Sequence, residues 1–99
     1  MPIRSIGTTA EDVFFGDDSV DSLNFKNGSA TGTIFLRNKS INNNTVTSTD
    51  FEWSLPAGGS LGLTKVNDGA GIAGSWQAIS DGTVTLEILP VHAPGKGKH

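Results

Sequence analysis

Short alternations of apolar and polar residues dominate the chain. In D-F-E-W-S-L, Phe51, Trp53 and Leu55 fall on one side of an extended backbone, and Asp50, Glu52 and Ser54 on the other. In T-V-T-L-E-I-L, Val84, Leu86 and Ile88 oppose Thr83, Thr85 and Glu87. A period of two predicts strands with one buried and one wet face, the mark of antiparallel sheets. T-G-T-I-F-L-R, Thr31 to Arg37, is more continuously apolar and predicts a more central strand. Ser60 to Thr64, Ser75 to Ile79, V-D-S-L-N-F and D-V-F-F add four shorter candidates. Between these runs lie turn signals: Lys26-Asn27-Gly28-Ser29 predicts a hairpin, Pro56-Ala57-Gly58-Gly59 a sharp break, and Ser80-Asp81-Gly82 a compact turn. No window carries a helical stripe over three turns. The expectation is an all-β fold, a small antiparallel β-sandwich or barrel of about seven to eight short strands. Residues 11–89 form its body. Residues 1–10, with only Ile3 and Ile6 as apolar anchors, are expected as an irregular N-terminal arm. Residues 90–99, P-V-H-A-P-G-K-G-K-H, are expected as an extended basic tail.

Composition narrows the functional classes. A chain of 99 residues fits one domain. It has no cysteine, so disulfides, thiolate metal sites and thiol nucleophiles are excluded. The net charge is −3, unevenly placed: ten acidic residues face five basic ones before Pro90, and Lys96 and Lys98 follow it. An acidic body argues against nucleic acid as the main partner, because phosphate binding needs clustered positive charge. No apolar run reaches the length of a membrane span. The opening MPIRSIGTTAEDVFF lacks a basic region followed by an apolar stretch and does not read as a secretory signal. Asn27, Asn38 and Asn43 open N-x-S/T triplets and read as turn residues.

One motif invites a sharper reading. Gly69 to Gly74, G-A-G-I-A-G, spells the G-x-G-x-x-G pattern of dinucleotide-binding turns. That turn works only when a strand feeds it and a helix opens after it, with the helix N-terminus facing a pyrophosphate. Here Ser75 to Ser80 leaves too little room for a helix before Asp81-Gly82, and Trp76-Gln77-Ala78-Ile79 reads as strand. Glu87 stands at a tempting distance for a ribose contact but belongs to an alternating strand. The motif is read as a glycine loop between strands, and no cofactor is expected. Asp17-Asp18-Ser19-Val20-Asp21 lacks the glycine and distal glutamate of a calcium loop and reads as a surface turn. Asn67-Asp68-Gly69 reads as a β-turn. His92 and His99 lie in the tail outside any spaced metal set, and no serine has a histidine base on the body. The expectation is no catalytic residue, no metal and no enzyme.

The aromatic residues carry two readings. Trp53 is expected in the core beside Phe51 and Leu55. Trp76, after the glycine loop, fits an end of the sandwich, a subunit contact, or a platform for a sugar ring. Phe14 and Phe15 point to opposite faces of one strand, so one ring is exposed unless another chain covers it.

From Arg37-Asn38 onward short motifs follow in order: a polar loop, Phe51 to Leu55, then Pro56-Ala57-Gly58-Gly59-Ser60-Leu61-Gly62-Leu63, a glycine-rich loop, Trp76-Gln77-Ala78-Ile79-Ser80, and Gly82 to Leu89. Over roughly Thr33 to Leu89 this order resembles small β-sandwich virion proteins of tailed bacteriophages, of the capsid decoration (cement) or tail and spike-base type. The resemblance implies a structural, non-enzymatic role on the virion, assembled in the host cytoplasm. It further implies a homo-oligomer, dimer or trimer, that binds the major capsid protein or another virion protein. The residues placed at such contacts are Ile3, Arg4, Ile6, Phe14, Trp76, Val91, His92, Lys96 and Lys98. Neither nucleic acid nor a membrane is expected as partner. The alternative is a carbohydrate-binding or adhesin-type module, with Trp76 and the Asn42-Asn43-Asn44 loop forming a glycan site.

Overall fold

A computed structural model describes residues 3–17, 20–64 and 72–92. They form eight strands: β1 (Ile3–Ile6), β2 (Glu11–Gly16), β3 (Val20–Asn27), β4 (Ile34–Asn38), β5 (Trp53–Leu55), β6 (Ser60–Thr64), β7 (Gly74–Ser80) and β8 (Val84–His92). Two four-stranded antiparallel sheets result, one in the order β1-β8-β3-β6 and the other β2-β7-β4-β5. The pairings β1·β8, β2·β7, β3·β6 and β4·β5 are those of one long hairpin folded at the β4–β5 loop. Rolling that hairpin adds β3·β8 and β4·β7. This strand order is that of the eight-stranded jelly roll. The all-β expectation is correct, and β4 is the interior strand that its continuous apolar run predicts.

Alternation explains the core. Leu23 and Phe25 of β3, Leu86 and Ile88 of β8, Ile34 and Leu36 of β4, and Trp76 and Ala78 of β7 are all buried between the sheets. Three rings bridge the layers: Trp76 lies 5.0 Å from Phe25 of the facing sheet and 5.1 Å from Trp53 beside it. The indole N–H of Trp76 donates to the carbonyl of Ile72 at 2.9 Å.

Several expectations change. Ile3–Ile6, expected in an irregular arm, is an edge strand paired with β8, and Ile6 is fully buried. The N–H of Ser80 donates to the carbonyl of Gly7 at 2.9 Å, which ties this segment to the second sheet. Pro90 to His92, expected in the tail, extend β8 alongside β3. Lys26 to Ser29 does not close a hairpin: β3 and β4 lie in different sheets. Asn27 organises that crossing. It is buried, and its amide donates to the carbonyls of Gly32 and Leu55, both at 3.0 Å. Phe51 does not share the core face with Trp53. It stacks on Phe35 at 4.7 Å, outside the second sheet.

Candidate functional site

The outer faces of the two sheets differ. On the second sheet, Phe35 and Arg37 of β4 and Gln77 and Ile79 of β7 point away from the core, by alternation with Ile34, Leu36, Trp76 and Ala78. The loop 39–52 folds back over this face. Val46 is fully buried beneath it, its N–H donating to Gln77 Oε1 at 3.2 Å. Arg37, a strand residue that would otherwise sit in water, is fully buried by the same loop. Its Nε donates to Glu52 Oε1 at 2.6 Å and its Nη2 to Asp50 Oδ1 at 2.5 Å and Glu52 Oε2 at 3.1 Å. Its Nη1 reaches the carbonyls of Asn44 at 3.1 Å and Thr45 at 3.4 Å.

The electrostatics follow from this geometry. Hydrogen bonds to Glu52 and then Asp50 hold the Arg37 guanidinium charged, well above its ordinary range, against the opposing cost of burial. The bond from Arg37 holds the Asp50 carboxyl below the usual carboxylate range. Every face of the guanidinium is engaged, so the cluster fastens a loop and leaves no donor for a substrate.

The G-x-G-x-x-G motif has a structural explanation at its end. Residues 65–71 lie outside the described residues, and so does Asn67-Asp68-Gly69. Gly74 opens a strand, not a helix. It adopts φ +110, and a Cβ there would stand 2.6 Å from Ser40 Cβ and 3.0 Å from Asn38 Oδ1. Only glycine combines that backbone angle with that approach. Asn38 is buried and donates to the carbonyl of Ala73 at 2.9 Å, while its Oδ1 accepts from the N–H of Ser40 at 2.9 Å. The motif glycine therefore serves the junction between loop 39–52 and β7.

On the first sheet no described loop covers the outer face. Register places Ile3 opposite Glu87, Asn24 opposite Leu89 and Ser22 opposite Val91. Ile3 and Val91 are 59% and 54% exposed, and Leu89 is also exposed. These three form an apolar stripe on the end of the sheet where β1 begins and β8 finishes. Beside it, over Gly62, an open groove of about 360 Å³ is lined by Ser22, Leu23, Asn24, Gly62, Leu63 and Thr64.

The residues expected at partner contacts therefore divide. Ile3, Val91 and His92 lie in the same sheet but are not paired: Ile3 stands opposite Glu87, four residues before Val91 on β8, and Val91 and His92 pair with β3. Arg4 sits at the same edge, bonded to Glu11 of β2 at 3.0 Å. Ile6 and Trp76 are corrected: both are fully buried and offer a partner no surface. The burial of Trp76 also removes the ring on which the glycan site depended. Phe14 packs against the core because a bulge between Asp12 and Phe14 turns both Val13 and Phe14 inward. Phe15 is the exposed ring, at 70%. Lys96 and Lys98 lie outside the described residues. Leu89 was missed because the sequence reads it as the end of a buried strand. No protein-family model, curated protein or solved structure matches the chain.

Proposed function

We propose that this chain is a structural, non-enzymatic virion protein of a tailed bacteriophage. Its closest fit is a capsid decoration protein that binds the head lattice through the outer face of the first sheet. The observation that carries this reading is the apolar stripe of Ile3, Leu89 and Val91, gathered where both terminal segments meet. An exposed apolar stripe costs solubility unless a partner covers it. The order of motifs from Thr33 to Leu89 and the jelly-roll strand order support a virion component by analogy of fold; jelly rolls serve both capsid and lectin domains. Three apolar residues and a short edge make a small contact, and such contacts gain strength when repeated over a lattice.

The test is co-sedimentation with assembled, undecorated heads of the phage whose genome encodes the chain, together with the heat resistance of those heads. The protein is expected to bind and to raise that resistance. I3S/V91S is expected to weaken binding with the body intact, since both side chains are mostly exposed. Removing residues 1–10 is unsuitable, because it removes Ile6 from the core. Absence of binding to heads, with saturable binding on a glycan array, would overturn the proposal in favour of the carbohydrate reading.

A further inference from the structure

The four sheet edges are not equally protected. β1 has four residues, including Arg4 in its ion pair with Glu11. β2 carries a bulge and the acidic pair Glu11 and Asp12. β5 has three residues between Glu52 and Pro56. Shortness, charge, bulges and proline are the usual means of keeping an edge from pairing with another chain. β6, Ser60-Leu61-Gly62-Leu63-Thr64, is five residues long with no charge or proline within it, is followed by Lys65, and pairs with β3 without a register shift. Among the described residues β3 is its one sheet neighbour.

The register shows which backbone groups face outward. The N–H of Asn27 donates to the carbonyl of Gly59 at 2.8 Å, and the N–H of Gly28 donates to the carbonyl of Thr85 at 2.9 Å. Antiparallel pairs alternate, so odd-numbered residues of β3 bond toward β6 and even-numbered ones toward β8. On β6, Leu61 and Leu63 then bond inward to Phe25 and Leu23. Gly62 and Ser60 turn their N–H and C=O groups to the open edge.

The sequence of β6 is close to a palindrome about Gly62, with leucines on either side and a hydroxyl residue beyond each. We propose that a second copy of this chain docks on this edge, antiparallel, across a two-fold axis at Gly62. Gly62 faces Gly62 of the partner subunit in a hydrogen-bonded pair. Leu61 meets the partner's Leu63. Such an isologous contact needs one strand complementary to itself, and β6 is. Leu61, half-buried against the core, gains cover from the leucine opposite. The joined sheets run β1-β8-β3-β6 and then the same order reversed. The apolar stripes of both copies then lie on one continuous surface. This inference does not rest on the virion reading. A monomer that binds heads would remove the dimer and keep that reading; a dimer that binds no head would do the reverse.

The experiment is molecular mass in solution by sedimentation over a concentration series, with circular dichroism as a check on folding. The wild-type chain is expected to approach the mass of a dimer. Gly62→Pro removes only an outward N–H, a change that edge strands tolerate. Gly62→Lys places like charges together at the axis, and a side chain there meets nothing within 4 Å in the monomer. Loss of the two central bonds raises the dissociation constant about 30-fold. In a chain without cysteine, Gly62→Cys is expected to be joined into a covalent dimer by a short bis-maleimide. That cross-link decides the matter should both other variants unfold. A wild-type monomer at every concentration, a dimer unmoved by folded Gly62→Pro or Gly62→Lys, or no cross-link would each overturn the proposal.

Discussion

Arg37→Met tests whether a single buried guanidinium holds loop 39–52 to the second sheet. Methionine keeps an unbranched stem and removes the charge and all donors. Five hydrogen bonds are lost, three of them to carboxylate oxygens and two to carbonyls. Breaking a fully buried ion pair costs about 3–5 kcal/mol, because the surviving charge is stranded. Here the survivors are less confined: the side chains of Asp50 and Glu52 are 56% and 28% exposed and regain water. The guanidinium also no longer pays for desolvation. The three bonds to carboxylate oxygens, at the low end of about 1.5 kcal/mol each, contribute about 4.5 kcal/mol, and allowing for both offsets the expected loss is about 3 kcal/mol. In a domain of this size that lowers the melting temperature by about 12–24 °C. Urea unfolding followed by the fluorescence of Trp53 and Trp76 measures the change. A cycle with Glu52→Gln isolates the pair and is expected to give a coupling of about 1 kcal/mol or more. A variant within about 0.5 kcal/mol of the wild type, or a coupling near zero, would refute the reasoning.

Two further outcomes follow from the same geometry. Trp76→Ala removes the largest buried side chain and both of its ring contacts, and is expected to cost about 3–5 kcal/mol; a folded variant of unchanged stability in urea would return Trp76 to the surface. Because Asp50 has a lowered folded-state pKa, its contribution is present above about pH 4, the unfolded carboxyl value, and is lost as pH falls through its own. Asp50→Asn is therefore expected to flatten the stability profile below about pH 4, as followed by acid unfolding, and an unchanged slope would detach Asp50 from Arg37.

Alternation made β5 and β8 legible, a continuous apolar run marked β4, and shorter apolar runs marked β2, β3, β6 and β7, because each commits side chains to the core. β1 escaped that reading for a physical reason. Only Ile6 is buried on it, and Ile3 faces out, so no alternation exists to be seen. Turn chemistry located the chain reversals but not their destinations. Lys26 to Ser29 has the residues of a hairpin, yet β3 is already flanked by β6 and β8, and β4 must enter the other sheet. Long-range pairing decides this, and local sequence does not contain it. The same limit hid Arg37. On a strand it reads as a solvated charge, and its partners Asp50 and Glu52 stand 13 and 15 residues away across a loop. Glu52, drawn onto Arg37, also breaks the alternation that would have put Phe51 in the core. Asn27 and Asn38 read as turn formers and proved to be buried anchors at strand ends. The one available signal was their place immediately after apolar strand runs.

The two sheets divide the work between them. The second sheet carries a third layer, the loop fastened by Arg37, Asn38 and Gln77, so its outer surface is already committed to the chain itself. Its remaining edges are shortened by three-residue β5 or bent by the bulge in β2. Among the described residues the first sheet has no such cover. Its outer face presents Ile3, Leu89 and Val91, and its edge strand β6 has β3 as its one sheet neighbour among the described residues. Three exposed apolar residues and an edge strand free of charge and proline therefore belong to one sheet. Of the exposed large hydrophobic residues described, Ile3, Leu89 and Val91 share that face, while Phe15 of β2 and Ile41 of loop 39–52 belong to the other sheet's side. Under the proposed function the first sheet is the face offered to the lattice, and the second sheet, with its loop fastened by Arg37, is the backing behind it.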